Sequence, residues 1–184
     1  RVKNVETFLK ANAFSTVRTY TDDDRDPQRE RTTGRGIVRT LDEMAWRSYT
    51  KKIDFLWIHF SGHGTSVKDQ SRDERDGMDE CFVPSDYDRV GVIRDDLFKK
   101  LFRKFSPRTR IFCVFDCCHS GTIGDLKYKY IDRNNMQLVP IVDNVSTPCK
   151  APIVIFSGCK DTQTSADAFN VQHLGKFTGA MTSC

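Results

Sequence analysis

Two side chains in this sequence have the makings of nucleophilic catalysis. One is the imidazole of His63, in Ser61-Gly62-His63-Gly64; the other is the thiol of Cys118, in Asp116-Cys117-Cys118-His119-Ser120-Gly121. Each follows directly on an apolar run, Ile53 to Phe60 for the histidine and Arg110 to Phe115 for the thiol. A thiol and an imidazole are the minimum for acyl transfer: the thiolate attacks a carbonyl carbon, and the imidazolium protonates the leaving amine. Gly62 and Gly64 leave the backbone bare beside the histidine. The Gly64 N–H can then point inward and, with the Cys118 N–H, stabilise an oxyanion.

Other readings of the same residues need no chemistry. A buried cysteine is ordinarily a small core hydrophobe, which is how we read Cys113 within its apolar run, and Cys81 and Cys159 beside strand ends. His59 lies inside a strand and is expected to be a packed, hydrogen-bonded core histidine. His63 and Cys118 differ because they stand at strand ends between small residues, where packing does not ask for them, although spacing alone also matches by chance. Cys113, Cys117, Cys118 and His119 can also be read as metal ligands. That reading ranks last, since adjacent cysteines cannot both meet one tetrahedral centre without strain. A non-catalytic binding module is the remaining alternative, and a paired nucleophile and base would be of no use to it.

A thiol and an imidazole at these points need strands to hold them. Ile53 to Phe60, Arg110 to Phe115 and Ile153 to Phe156 are apolar runs of the length expected of buried parallel strands. Between them come helical patterns: Val2, Val5, Phe8 and Leu9; Ile37, Leu41 and Met44 within Gly36 to Trp46; and Leu97, Phe98, Leu101, Phe102 and Phe105. Asp95 and Asp96 stand where the N-cap and first turn of the last helix belong. Thr16 to Tyr20 and Cys81 to Val83 read as short strands, and residues 21–33 and 124–150 as loops. Alternating strands and helices predict a single α/β domain over residues 1–184 with a mainly parallel sheet. In such sheets functional groups gather beyond the carboxyl ends of the strands.

Composition narrows the class of function. The chain carries 29 Lys+Arg and 25 Asp+Glu, a net charge of +4. This excess forms no basic block, so nucleic acid is not the expected partner. The longest apolar runs are about five residues, far below the roughly 20 of a membrane-spanning helix, and no membrane association is expected. Seven cysteines without a C-x-x-C pair argue for free thiols in a reducing, cytoplasmic compartment. We expect a monomer. The chain starts at Arg1 without Met and stops at Cys184 within what reads as an element, so we expect it to be part of a longer protein.

The two blocks around His63 and Cys118 resemble the signatures of the metacaspases, the caspase-like cysteine peptidases of plants, fungi and protists. The similarity extends to Asp76-Gly77-Met78-Asp79-Glu80, Val83-Pro84-Ser85-Asp86, Ile93-Arg94-Asp95-Asp96 and Phe156-Ser157-Gly158-Cys159, in the right order, and the compact His-to-Cys region resembles type I members. Cys117 stands where most relatives have Ser, which leaves Cys118 as the matching nucleophile. The resemblance implies a caspase-like three-layer α/β/α sandwich, a His63/Cys118 dyad, and cleavage after Arg or Lys with Asp116 and Ser61 lining the pocket. It also implies a calcium ion on Asp79, Asp95, Asp96 and Asp125, whose carboxylates are the hard ligands calcium favours. The bland role of Asp116 is as a strand-end cap, and that of Asp95 and Asp96 as caps of the following helix. By the same resemblance, the family's first strand and an acid that helps bind the P1 side chain fall before Arg1, and the segment as given is not expected to be stable or active until they are restored.

Overall fold

The computed structural model describes residues 2–68, 78–117, 128–130, 138–140, 148–158, 167–168 and 178–179. Its centre is a parallel sheet in the order β1 (Phe55–Ser61), β5 (Arg110–Asp116), β8 (Ile153–Ser157). These are the three apolar runs; central β5 is buried along most of its length, whereas β8 alternates and leaves Val154 and Phe156 half-exposed on one face. Helices α1 (Val2–Ala11), α2 (Gly34–Thr50) and α4 (Asp95–Phe102) complete three layers. Leu41 and Ala45 of α2 and Phe98, Leu101 and Phe102 of α4 pack on Ile111, Cys113 and Phe115. On the opposite face Phe8 of α1 and Phe14 meet Trp57, with ring centroids 6.2 and 6.3 Å apart.

A second, antiparallel sheet is built from β2 (Gly64–Lys68), β3 (Met78–Phe82) and β4 (Ile93–Arg94). The short helix α3 (Tyr87–Val90) connects β3 to β4. Phe82, fully buried, joins the two sheets, its ring 4.5 Å from that of Phe60, 4.4 Å from Phe98 and 4.9 Å from Phe115. The remaining strands form two antiparallel pairs, β6 (Tyr128–Tyr130) with β7 (Leu138–Pro140) and β9 (Asp167–Ala168) with β10 (Thr178–Gly179).

Several expectations need correction. Thr16 to Tyr20 belongs to no strand and has no regular secondary structure. A groove of about 610 Å³ runs between residues 14–20 and β1, so no neighbouring backbone is at hand to form a ladder. The strand expected at Cys81 to Val83 is longer and starts at Met78. Helix α2 outruns Gly36 to Trp46 at both ends. The Thr33 hydroxyl accepts from the Gly36 N–H at 3.0 Å and caps its start. Gly36 itself is demanded by the preceding single 3-10 turn (Arg29–Thr32), since a Cβ there would lie 1.9 Å from the Glu30 carbonyl oxygen. The N-cap of α4 is Arg94; Asp95 and Asp96 are its first two residues, where a carboxylate opposes the helix dipole without capping through its side chain. Part of the region expected to be one loop, residues 124–150, pairs as β6 and β7.

Among the described residues, Cys81, Cys113 and Cys149 are free thiols. Burial pushes the Cys81 thiol up to about 12, with the neighbouring Asp95 carboxylate adding to the effect. Burial alone raises the Cys113 thiol further, and it is the main cause of a rise at Cys149. These groups stay protonated in the fold but ionise near 9 once exposed, so their contribution to stability is complete below that pH and is lost as pH rises from there through the folded value, about 12 for Cys81. Two outcomes are expected. Phe82→Ala should lower the unfolding free energy by about 3–5 kcal/mol in a denaturant titration, whereas the same change at half-exposed Phe156 should be much milder. Peptide mapping after iodoacetamide at neutral pH should find Cys81 and Cys113 unmodified in the folded protein and alkylated once it is unfolded.

Candidate active site

Parallel pairing of β1 with β5 sets the geometry of the site. The register runs from Phe55 beside Arg110 to Ser61 beside Asp116. Ser61 and Asp116 thus end neighbouring strands side by side, and one further bond extends the ladder, from the Gly62 N–H to the Asp116 carbonyl at 3.4 Å. His63 and Cys118 each follow two residues after a member of that pair. His63 is exposed, and its carbonyl accepts the Val83 N–H at 3.0 Å, which ties the histidine's backbone to the end of β3. Gly64 opens β2 opposite Phe82. Cys118, His119 and Asp125 lie outside the described residues.

Alternation along the strands sorts the side chains by face. Leu56, Ile58 and Phe60 of β1 join Cys113, Phe115 and Cys117 in the core beneath α2 and α4. Trp57, His59 and Ser61 turn to the other face, beside Phe112, Val114 and Asp116. Cys117 therefore has its thiol packed inside, 1% exposed, as its near neighbour Cys113 does. Asp116 is equally buried, on the face opposite the Cys113 and Cys117 side chains. Sequence reasoning gave Gly158 no role, yet a Cβ there would stand 3.3 Å from Asp116 Oδ1, and its N–H donates to the Phe115 carbonyl at 2.9 Å. The signal was present in a small residue just past the third parallel strand. His59 departs from expectation: it is largely buried, but neither ring nitrogen has a hydrogen-bond partner among the described residues. Burial holds its imidazole below the ordinary 6.5, against the pull of Asp116.

Of the four acids expected on calcium, three are described. Asp79 in β3 and Asp95 at the start of α4 are buried, and both raise the Cys81 thiol through their charge, which places them around one point. Arg94 forms an ion pair with Asp79, and the Asp96 N–H donates to Asp95 Oδ1 at 2.9 Å. Carboxylate oxygens are the right donor chemistry for calcium. Among the described residues, however, no group of three or more His, Cys, Asp or Glu converges closely enough to hold an ion. The described acids are a partial set, and one of them already faces a cation.

Known proteins give this arrangement a family. Residues 1–127 match the family described as metacaspase, peptidase C14 domain. Metacaspase-5 of Trypanosoma brucei brucei is 40% identical over 147 residues, 74% of this chain and 28% of that protein. Metacaspase-2 of the same organism is 36% identical over 174 residues, 89% of this chain and 49% of that protein. Metacaspase-1 of Mycosarcoma maydis is 31% identical over 229 residues, 97% of this chain and 54% of that protein. The chain thus spans about half or less of the length of these relatives. In fold it is similar to the crystal structure of protein GSU0716 from Geobacter sulfurreducens, with a TM-score of 0.61 at 25% identity, covering 98% of this chain and 67% of that one. The family match and the α/β architecture agree, and the chain belongs to the metacaspases.

Proposed function

We propose that this chain is the core of a cysteine endopeptidase that cleaves protein substrates after Arg or Lys, with Cys118 as nucleophile and His63 as general acid and base. The observation that carries the reading is the side-by-side ending of β1 and β5: Ser61 and Asp116 are register partners, and the two reactive residues follow them at equal distance along the chain. The Cys118 thiolate attacks the scissile carbonyl carbon and forms a C–S bond. His63 gives its proton to the departing amine as the C–N bond breaks, and water then hydrolyses the thioester. The Gly64 and Cys118 N–H groups hold the oxyanion. Asp116 takes the guanidinium or ammonium of the P1 side chain, with Ser61 beside it. Its burial supports that task, since a carboxylate out of water binds a cation far more strongly than one at the surface.

Calcium belongs to the same proposal. Asp79, Asp95, Asp96 and Asp125 would hold it, and the ion would relieve repulsion among their carboxylates, with no part in the bond-breaking step. What supports this is the resemblance to the family together with the hard carboxylate oxygens that buried Asp79 and Asp95 supply.

Hydrolysis of Arg-P1, Lys-P1 and Asp-P1 peptides by the full-length protein, with and without calcium, tests the whole reading. Cys118→Ala should abolish turnover and His63→Ala should lower it by about 10²-fold or more, while Cys117→Ser keeps most of it. Asp116→Asn should lower kcat/KM on basic substrates by about 10²-fold without creating Asp-P1 activity, because a buried guanidinium without a carboxylate is strongly disfavoured. Gly158→Ala, which crowds Asp116 Oδ1, should raise KM for Arg-P1 peptides and leave kcat nearly alone. Efficient hydrolysis after Asp would overturn the substrate assignment. For calcium, the Asp95→Ala/Asp96→Ala double variant should lose both the activation and the heat of binding in a calcium titration. An unchanged response would return these acids to the helix terminus alone.

A further inference from the structure

His59 is a largely buried titratable side chain to which the mechanism above gives no task. It stands two residues before Ser61 on the same face of β1. Its two ring nitrogens, the Ser61 hydroxyl and the Trp57 indole N–H are all buried without a hydrogen-bond partner among the described residues. Buried polar atoms nearly always have a partner, so three consecutive positions on one face of one strand mark a row with a common need. Across the strand pair, Trp57 lies beside Phe112, His59 beside Val114 and Ser61 beside Asp116. Phe112 and Val114 bring no polar side-chain atom, which leaves Asp116 as the polar end of the row.

Packing does not ask for an imidazole here. A leucine would fill the same space beside Val114 and need no partner. Burial keeps the ring in its neutral form, with one donor and one acceptor nitrogen, while Asp116 is close enough for its charge to act on it. The imidazole and the Ser61 hydroxyl do not bond each other directly, but a neutral imidazole can accept from or donate to one water that bridges it to that hydroxyl. Trp57 and His59 also line the groove beside residues 14–20, which gives water a way to the lower part of the row.

We propose that His59 is a positioning residue for the P1 pocket: its imidazole orients the Ser61 hydroxyl and, through it, the Asp116 carboxylate. This rests on the reading of Ser61 and Asp116 as pocket residues. His59 lies within β1, two residues before Ser61, so its influence is expected on substrate binding and not on the chemical step.

The test uses the full-length protein with His59→Leu, His59→Gln, Ser61→Ala and the His59→Leu/Ser61→Ala double variant. His59→Leu should raise KM for Arg-P1 and Lys-P1 peptides roughly tenfold, the order expected when one partner of a buried polar contact is removed, with kcat within about threefold. His59→Gln, which keeps a donor and an acceptor, should recover most of that loss. The double variant should be no worse than the more damaging single one, because His59 acts through Ser61. A folded His59→Leu variant with unchanged KM, equal losses in the Leu and Gln variants, or additive effects in the double variant would overturn the proposal. Should His59→Leu fail to fold, the comparison of His59→Gln with Ser61→Ala keeps its force. Ring-nitrogen NMR supplies a readout independent of turnover: His59 should show one neutral, hydrogen-bonded tautomer near neutral pH whose shifts move in Ser61→Ala. Indifferent shifts overturn the role of His59 even in a protein that cleaves nothing, whereas absence of cleavage after Arg or Lys with responsive shifts overturns the reading of function alone.

Discussion

The ring of Phe82 is the contact on which the rest of the structure turns. It sits at the end of β3 and lodges among Phe60 of β1, Phe115 of β5 and Phe98 of α4, so one side chain fastens the antiparallel sheet, the parallel sheet and the helical layer together. Aromatic contacts of this kind add to the area they bury because edge and face carry opposite partial charge. The consequence reaches past stability. Phe82 is the register partner of Gly64, and the next residue, Val83, donates to the His63 carbonyl. An exposed histidine in a short connection would otherwise have little to hold its backbone, and here it inherits the rigidity of the core.

Two faces of one sheet carry two different loads. Beneath α2 and α4 the side chains are apolar and closely packed, and Cys113 and Cys117 behave there as small hydrophobes. The other face carries Trp57, His59, Ser61 and Asp116, a row whose polarity increases toward the carboxyl ends of the strands. Buried polarity is tolerated where it serves binding, and a carboxylate at the mouth of a crevice between parallel strands is the arrangement expected of such sheets. Gly158 finishes that mouth from the third strand by having no side chain to fill it.

Much of this was legible in the sequence, and the limits have physical causes. The three apolar runs announced the parallel strands because their mainly apolar side chains pack the centre of the sheet, and His63 and Cys118 stood out because small neighbours isolate them. Antiparallel β2 escaped notice, since Thr65, Ser66 and Lys68 carry no apolar run and take their strand form from pairing with β3. Thr16 to Tyr20 erred in the opposite sense: its propensity is real, but a strand exists only beside a partner. Asp95 and Asp96 were misplaced by one position because helix ends are set by backbone angles that composition constrains loosely. The unpartnered state of His59 depends on what lies across the strand pair, which no single stretch of sequence records. A calcium ion on Asp79, Asp95, Asp96 and Asp125 and a basic P1 preference are expectations drawn mainly from resemblance to the family, with carboxylate chemistry in agreement.

The pairing of β1 with β5 ties heredity of the pocket to heredity of the core. Side chains alternate strictly along a strand, so a slip of one residue would carry Phe60 to the pocket face and bury Ser61 among the phenylalanines. No mutation can therefore move the Ser61–Asp116 pair along the strand without dismantling the aromatic interior in the same stroke. Change at this end of the sheet across descendants of such a protein is channelled into single side chains that leave alternation intact, at the positions of Ser61, Asp116 and Gly158. The layout itself is held in place by selection for a protein that merely folds.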